Sequence, residues 1–211
     1  FCYYDISLVH LLRTRAAAAA GATAGVCCNE GTGGRGGKAG SEVGTVAIDI
    51  EISEVGPRDG LQSIRSIMPT EAKKAWIRAQ HEAGTPEIEV GSFVPAKLLP
   101  QLADTAEVVR YATTLPGLRV AALVPNRRGL EGAIAAGAHK VSMPFSMSET
   151  HSVRNVKKTH VQMREEIVRC LELLAETPAE RRPAFEVGLA TAFGCTIEGP
   201  IPEDRVIRTA A

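Results

Sequence analysis

The sequence predicts an α/β protein built on a parallel sheet, and two observations carry that prediction. From Val46 onward, short segments with strand character alternate with longer segments of helical periodicity. Parallel neighbours need crossover helices between them, so this strict alternation calls for a parallel sheet. The polar residues are the second observation. Arg58 and Asp59, Ser92, Asn126, Ser146 with Ser148 and Glu149, and the run Gly194 to Glu198 each follow the C-terminal end of an expected strand.

The first strand is read in VAIDIEISEV, residues 46–55, where apolar and polar residues alternate. TEAKKAWIRAQHEAG (70–84) is the first helix. Thr70 can cap it, Ala72, Ala75, Trp76, Ala79 and Ala83 mark one face, and Gly84 ends it. EIEV (87–90) is the second strand and KLLPQLADTAEVVRYA (97–112) a helix with a proline near its start. LRVAALVPN (118–126), RRGLEGAIAAG (127–137) and HKVSMPF (139–145) supply a third strand, a third helix and a fourth strand. VQMREEIVRCLELLAE (161–176) is a fourth helix, with Val161, Arg164, Val168, Leu171 and Leu174 near one side. AFEVGLATAF (184–193) is a fifth strand, and PEDRVIRTAA (202–211) begins another helix.

The first 46 residues differ in composition. RTRAAAAAGATAG is alanine-rich and NEGTGGRGGKAG glycine-rich. This segment is expected to be poorly ordered, with a short helix near Ile6 to Ala20. Arg13 and Arg15 in an acid-free stretch fit a transit peptide, and non-native upstream sequence fits as well. The domain proper is read as 47–211.

Lys plus Arg and Asp plus Glu both number 24, so the formal net charge is zero. That balance gives no electrostatic case for nucleic acid or an acidic membrane surface. No apolar run approaches the ~20 residues of a membrane span. The five cysteines, Cys2, Cys27, Cys28, Cys170 and Cys195, lack paired metal spacing. They fit free thiols in a reducing compartment better than a disulfide framework, which places the protein in the cytoplasm or, alternatively, the mitochondrial matrix.

Two architectures fit the alternation: a doubly wound open sheet and a (β/α)₈ barrel. No G-x-G-x-x-G follows the first strand, which weakens the dinucleotide-binding form of the open sheet. Polar residues after strand C-termini are where a barrel carries its active site. A barrel typically needs ~250 residues, so the barrel reading makes this a partial (β/α)₈ TIM barrel of about five βα units.

EVGPRDGLQS, residues 54–63, sets Arg58 beside Asp59 on a tight turn. Two readings stand: a solvated turn in which Asp59 bonds nearby backbone, or a cation and a carboxylate aimed at one substrate. EVGPRDGLQ, IEVGSFVPAKLLPQLADTAEV, LVPNRRGLEGAIAAGA, FSMSETHSVRNVKKT and AFGCTIEGPIPEDRV, in that order, resemble segments of the hydroxymethylglutaryl-CoA lyase family. The resemblance runs from about Ile48 to the last residue. The sequence departs from the family at Ser63 and Ile64, where lyases often carry Asn-Glu, and at Gly91, where they often carry threonine. The family's His-x-His metal motif has no counterpart among the five histidines, so the chain by itself is expected to be inactive.

The resemblance implies a carbon–carbon lyase that splits 3-hydroxy-3-methylglutaryl-CoA into acetyl-CoA and acetoacetate. It implies Arg58 and Glu89 as catalytic residues and Asp59 as a ligand of a divalent ion, Mg²⁺ or Mn²⁺. Period two puts Glu87 and Glu89 on one face of their strand, and Glu89 either pairs with a cation such as Arg58 or serves the active site directly. Substrate contacts are expected from Arg58, Gln62, Ser92, Asn126, Ser146, Ser148 and Glu149, with loop capping the competing reading for the serines and Glu149 and turn formation for Asn126. Gly60 is read as the residue that lets the turn bend. His151 is read as a surface or supporting residue, and Cys195 as a buried small residue. Lys157 and Lys158 either meet CoA phosphates or form a solvated surface. The expected partner is an acyl-CoA, with no nucleic acid or membrane, and the family is compatible with a homodimer. A condensing synthase of the same superfamily and an inactive remnant remain alternatives.

Overall fold

The computed structural model describes residues 51–211. The expectations for residues 1–46, and the part of the first strand signal before Glu51, lie outside the described residues. Within them the elements run β1 (Ser53–Glu54), α1 (Thr70–Glu82), β2 (Glu87–Ser92), α2 (Thr105–Ala112), β3 (Arg119–Leu123), α3 (Arg127–Ala136), β4 (Lys140–Ser146), α4 (Glu149–Val156), α5 (His160–Glu176), β5 (Ala184–Ala190) and α6 (Glu203–Ala210).

The five strands form one sheet in the order β1-β2-β3-β4-β5, every neighbouring pair parallel. A doubly wound sheet reverses its strand order at a switch point. This one never reverses, so it is the wall of a barrel: five strands of a (β/α)₈ barrel with helices outside. Ile88, Val90, Val120, Ala122, Val141, Met143 and Phe145 alternate along their strands and pack on helix residues including Ile77, Val109, Leu130, Met163 and Cys170. The opposite row of side chains, Glu87, Glu89, Lys140, Ser142 and Glu186, is polar and faces the barrel interior.

The helices differ from expectation in instructive ways. On α1 the residues that enter the core are Lys73 and Ile77, with Trp76 half-buried, while Ala72, Ala75, Ala79 and Ala83 are exposed. Lys73 is 1% exposed because its ammonium donates to Asp104 Oδ1 at 2.5 Å and to the Gln101 carbonyl at 2.6 Å, tying α1 to the start of α2. Thr70 does not cap α1. It is the first helical residue, and its hydroxyl donates to Asp104 Oδ2 at 2.7 Å. Gly84 does end the helix, at φ +88°.

On α5 the expected face is reversed. Met163, Glu166, Cys170 and Leu174 are buried, whereas Val161, Arg164, Val168 and Leu171 are exposed. Only Leu174 belongs to both sets. Helical spacing generates two apolar stripes here, and packing against the sheet selects the one the sequence reading did not name. A capping box of Thr159 and Gln162 starts α5. α4 lies between β4 and α5, in a stretch where the sequence reading names no helix.

Candidate active site

The chain leaves β1 through a single wide turn over Gly56–Gly60. The Val55 carbonyl accepts from the amides of Arg58 at 3.1 Å and Asp59 at 2.7 Å. Pro57 and Leu61 are buried and pin the turn to the protein body. Gly56 is the glycine this turn requires. A Cβ there would lie 2.7 Å from Glu54 Oε1 and 2.8 Å from the Trp76 ring. Gly60, expected to relieve the bend, has open space around it and no positive φ, so the bend does not depend on it.

The turn delivers Arg58 to Glu89. Arg58 Nε donates to Glu89 Oε2 at 2.6 Å, and Arg58 Nη1 donates to Asp59 Oδ1 at 2.7 Å. Ser142 Oγ on β4 donates to Glu89 Oε1 at 2.6 Å, so both oxygens of this 5%-exposed carboxylate are satisfied. The two readings of Glu89 thus coincide: it pairs with a cation, and that cation is the candidate catalytic group. Two edges of the guanidinium are fixed, and Nη2 has no hydrogen-bond partner among the described residues. Charge-assisted bonds of this kind hold a planar cation in one orientation.

Beneath this layer lies a second charged layer. Glu87 accepts from Lys140 at 3.0 Å and from Arg119 at 3.4 Å. Lys140 also pairs with Glu186 at 2.8 Å, and Arg119 with Glu51 at 2.6 Å. Burial alone would lower the Lys140 pKa, but the Glu186 and Glu87 carboxylates outweigh it and hold the ammonium above its ordinary range.

The expected substrate residues divide by position. Gln62 is half-buried just past the turn. Ser92 is buried at the end of β2, where its hydroxyl accepts from the Val94 amide at 3.3 Å. Gly91, beside it, faces Thr105: a Cβ there would come within 2.5 Å of Thr105 Oγ1, so this departure from the family is matched by packing against α2. Asn126 caps α3, accepting from the Gly129 amide at 3.0 Å. Ser148 caps α4, accepting from the His151 amide at 3.1 Å. Glu149 accepts from the His160 amide at 3.0 Å and joins α4 to α5. Lys158 is committed to Glu166 at 2.5 Å, and Lys157 Nζ donates to the Arg154 carbonyl at 3.0 Å.

Ser146, at the mouth end of β4, is the centre of a second cluster. Its Oγ lies 3.0 Å from Thr191 Oγ1 and 3.1 Å from His151 Nδ1, and it accepts from the Ser148 amide at 3.2 Å. Cys195 is buried nearby. Burial pushes its thiol up, but the Ser148 hydroxyl and the amides of Glu198 and Ile197 outweigh that and leave its pKa below the ordinary value.

Asp59, the residue expected to meet a metal, has no hydrogen bond at Oδ2 among the described residues, and its side chain is 49% exposed. Among the described residues no group of three or more His, Cys, Asp or Glu could hold an ion. Asp59 alone does not fit a divalent ion that takes six oxygen ligands.

Sequence reasoning missed Ser142 and Thr191. Ser142 was legible, because period two from Lys140 leads through it to Ser146. Thr191 was not, since its role depends on an unusual backbone conformation that composition does not signal.

A family model described as HMGL-like matches residues 49–211. The mitochondrial hydroxymethylglutaryl-CoA lyase of Arabidopsis thaliana is 36% identical over 157 residues, covering 74% of this chain and 33% of that protein. The cytoplasmic 3-hydroxy-3-methylglutaryl-CoA lyase of Danio rerio is 35% identical over 170 residues, 81% of this chain and 50% of that protein. The chain thus spans half or less of these curated relatives. A solved HMG-CoA lyase from Acenitobacter baumannii, in complex with coenzyme A and 3-methylmalate, superimposes with a TM-score of 0.68 at 33% identity, over 75% of this chain and 50% of that one. A family model spanning every described residue, with a solved relative sharing the same strand and helix framework, establishes that the chain belongs to the HMGL-like family.

Proposed function

We propose that residues 47–211 are catalytic-domain sequence of a carbon–carbon lyase that cleaves 3-hydroxy-3-methylglutaryl-CoA to acetyl-CoA and acetoacetate. One observation carries the reading: a guanidinium fixed through Nε and Nη1 at the mouth of a half-barrel, with Nη2 unpartnered among the described residues and so open to a ligand.

In this retro-Claisen cleavage the tertiary hydroxyl of the substrate loses its proton and its carbon becomes the ketone of acetoacetate. The carbon–carbon bond electrons pass into the departing thioester, which leaves as the enolate of acetyl-CoA and takes up one proton at carbon, balancing the proton given up by the hydroxyl. Arg58 supplies positive charge where that enolate oxygen develops, and Glu89 keeps the guanidinium from turning away as charge builds. Ser142 in turn fixes Glu89. The proposal includes Asp59 as one ligand of a divalent ion, Mg²⁺ or Mn²⁺, which when bound would acidify the hydroxyl. The role of Arg58 does not depend on that ligand.

The complex of the Acenitobacter baumannii relative with coenzyme A supports an acyl-CoA as partner. Mitochondrial and cytoplasmic relatives both occur, and the thiol pattern favours the cytoplasm, with the matrix as the alternative. Among the described residues no helix is long and apolar enough to cross a membrane. A homodimer of the full-length form belongs to the same proposal.

The test is acetoacetate release from 3-hydroxy-3-methylglutaryl-CoA by the protein carrying this chain, with Mg²⁺ or Mn²⁺ supplied. Release that vanishes in Arg58→Ala supports the proposal. Absence of cleavage, or cleavage indifferent to Arg58, rejects it.

A further inference from the structure

Thr191 directly follows β5 with φ +59°, a left-handed conformation that a β-branched residue rarely adopts. Such strain costs ~1–3 kcal/mol and persists where the surroundings impose it. Here the conformation sets Thr191 Oγ1 3.0 Å from Ser146 Oγ and 3.1 Å from the Ser148 amide, which donates to it. Ser146 is 7% exposed and lies on the interior row of β4, four residues beyond Ser142, or ~13 Å along the strand at about 3.3 Å per residue. The cluster therefore stands above the Arg58–Glu89–Ser142 layer, on the same side of the sheet.

One assignment of the hydrogens uses every proton within the cluster. Two hydroxyl protons and one imidazole nitrogen meet at Ser146 Oγ. If Ser146 donates to Thr191, the Thr191 hydroxyl proton has no acceptor among the described residues. If Thr191 donates to Ser146 and Ser146 donates to His151 Nδ1, both protons are used. In that arrangement His151 accepts at Nδ1 and carries its ring proton at Nε2, which has no hydrogen-bond partner among the described residues. In this assignment the strained threonine, the buried serine and the histidine form a directed relay that ends in one available N–H donor.

We propose that His151 is a ligand-binding residue: its Nε2–H, oriented by Thr191 and Ser146, donates to a carbonyl-type oxygen of the acyl-CoA ligand beyond the atoms that Arg58 serves. The inference rests on the acyl-CoA reading above. The acceptor belongs either to the pantetheine amides or to the acyl acid, and different probes separate the two.

Imidazole ¹H–¹⁵N correlation spectra of the full chain provide the test. In the unliganded protein His151 should show one neutral tautomer, protonated at Nε2, and Ser146→Ala should convert it to a mixture. A tautomer mixture in the parent protein, or no change in Ser146→Ala, overturns the relay. Coenzyme A alone, acetyl-CoA and free 3-hydroxy-3-methylglutarate are then added separately. A shift of the His151 Nε2–H with coenzyme A assigns the acceptor to the pantetheine arm, and a shift with the free acid assigns it to the acyl group. His151→Phe should weaken binding of the effective probe about tenfold, the worth of one hydrogen bond, while His151→Gln, which keeps a donor near Nε2, should recover most of it. If acetyl-CoA binds and neither the resonance nor the affinity depends on His151, this inference fails and the acyl-CoA reading stands. If none of the probes binds, both fail.

Discussion

Arg58 and Glu89 lie 31 residues apart in the chain and 2.6 Å apart in space. The turn after β1 and the interior row of β2 meet at this one bond. It converts a mobile surface arginine into an oriented cation, with a side chain only 17% exposed.

Turnover should therefore depend on the shape of the Arg58 side chain as well as on its charge. Arg58→Ala is expected to lower the rate by ~10²–10³, as loss of one electrostatic stabiliser commonly does, with substrate affinity largely kept. Arg58→Lys should recover little of it, because an ammonium cannot bond Glu89 and Asp59 along a rigid fork and still present a third edge. Steady-state kinetics that separate kcat from KM check both outcomes.

Glu89→Gln should cost stability as well as rate. The amide keeps the volume but removes the charge that pairs Arg58, leaving a largely buried guanidinium with Asp59 alone. Breaking one side of such a pair costs about 3 kcal/mol. Urea unfolding should show a lower midpoint at an unchanged slope, and an unchanged midpoint would mean that Arg58 finds another partner.

Acid should weaken the α3–α5 contact through Glu166. Burial alone would raise the pKa of this carboxyl, but the Lys158 ammonium and the Arg127 amide outweigh it and hold it below the ordinary value. A carboxyl depressed in the folded state adds stability above its unfolded pKa and loses it as the pH falls through the folded pKa. The melting temperature should therefore decline on the acid side of the ordinary carboxylate range, and Glu166→Gln should flatten that decline. Equal slopes in the two proteins would remove Glu166 as a cause.

The described thiols should alkylate in a fixed order. Burial pushes Cys170 up to about 11, so it carries almost no thiolate at neutral pH. Cys195 is shifted down and lies beside the barrel mouth. Peptide mapping after brief iodoacetamide treatment should find Cys195 modified well before Cys170, whose labelling should await unfolding.

Much of this arrangement was legible because strand periodicity is unambiguous. Period two puts Glu87 and Glu89 on one face, and EVGPRDG delivers Arg58 to the end of the strand beside them. Helix faces were harder. Ala72, Ala75 and Ala79 form a stripe as regular as any core stripe, yet the buried residues are Lys73 and Ile77. Burial of Lys73 depends on Asp104 and the Gln101 carbonyl, partners on another helix and turn that local sequence does not reveal. Val161, Val168 and Leu171 misled in the same way on α5, where a second stripe won the contact with the sheet. Ser92 and Asn126 were correctly placed at strand ends, but local bonds to backbone amides engage both side chains.

The charged layer formed by Glu51, Arg119, Glu87, Lys140 and Glu186 also bears on how the strands find one another. A slip of one residue between parallel strands turns every side chain to the wrong face, and the apolar row forbids it. A slip of two preserves the alternation, so hydrophobic burial discriminates against it poorly. In this sheet a two-residue slip of β4 would carry Lys140 away from both Glu87 and Glu186, leaving Glu186 without its counter-charge and Glu87 with Arg119 alone. The layer beneath the candidate site thus serves as a proofreading device for strand alignment, and only the correct alignment brings Ser142 to Glu89 and Glu89 to Arg58.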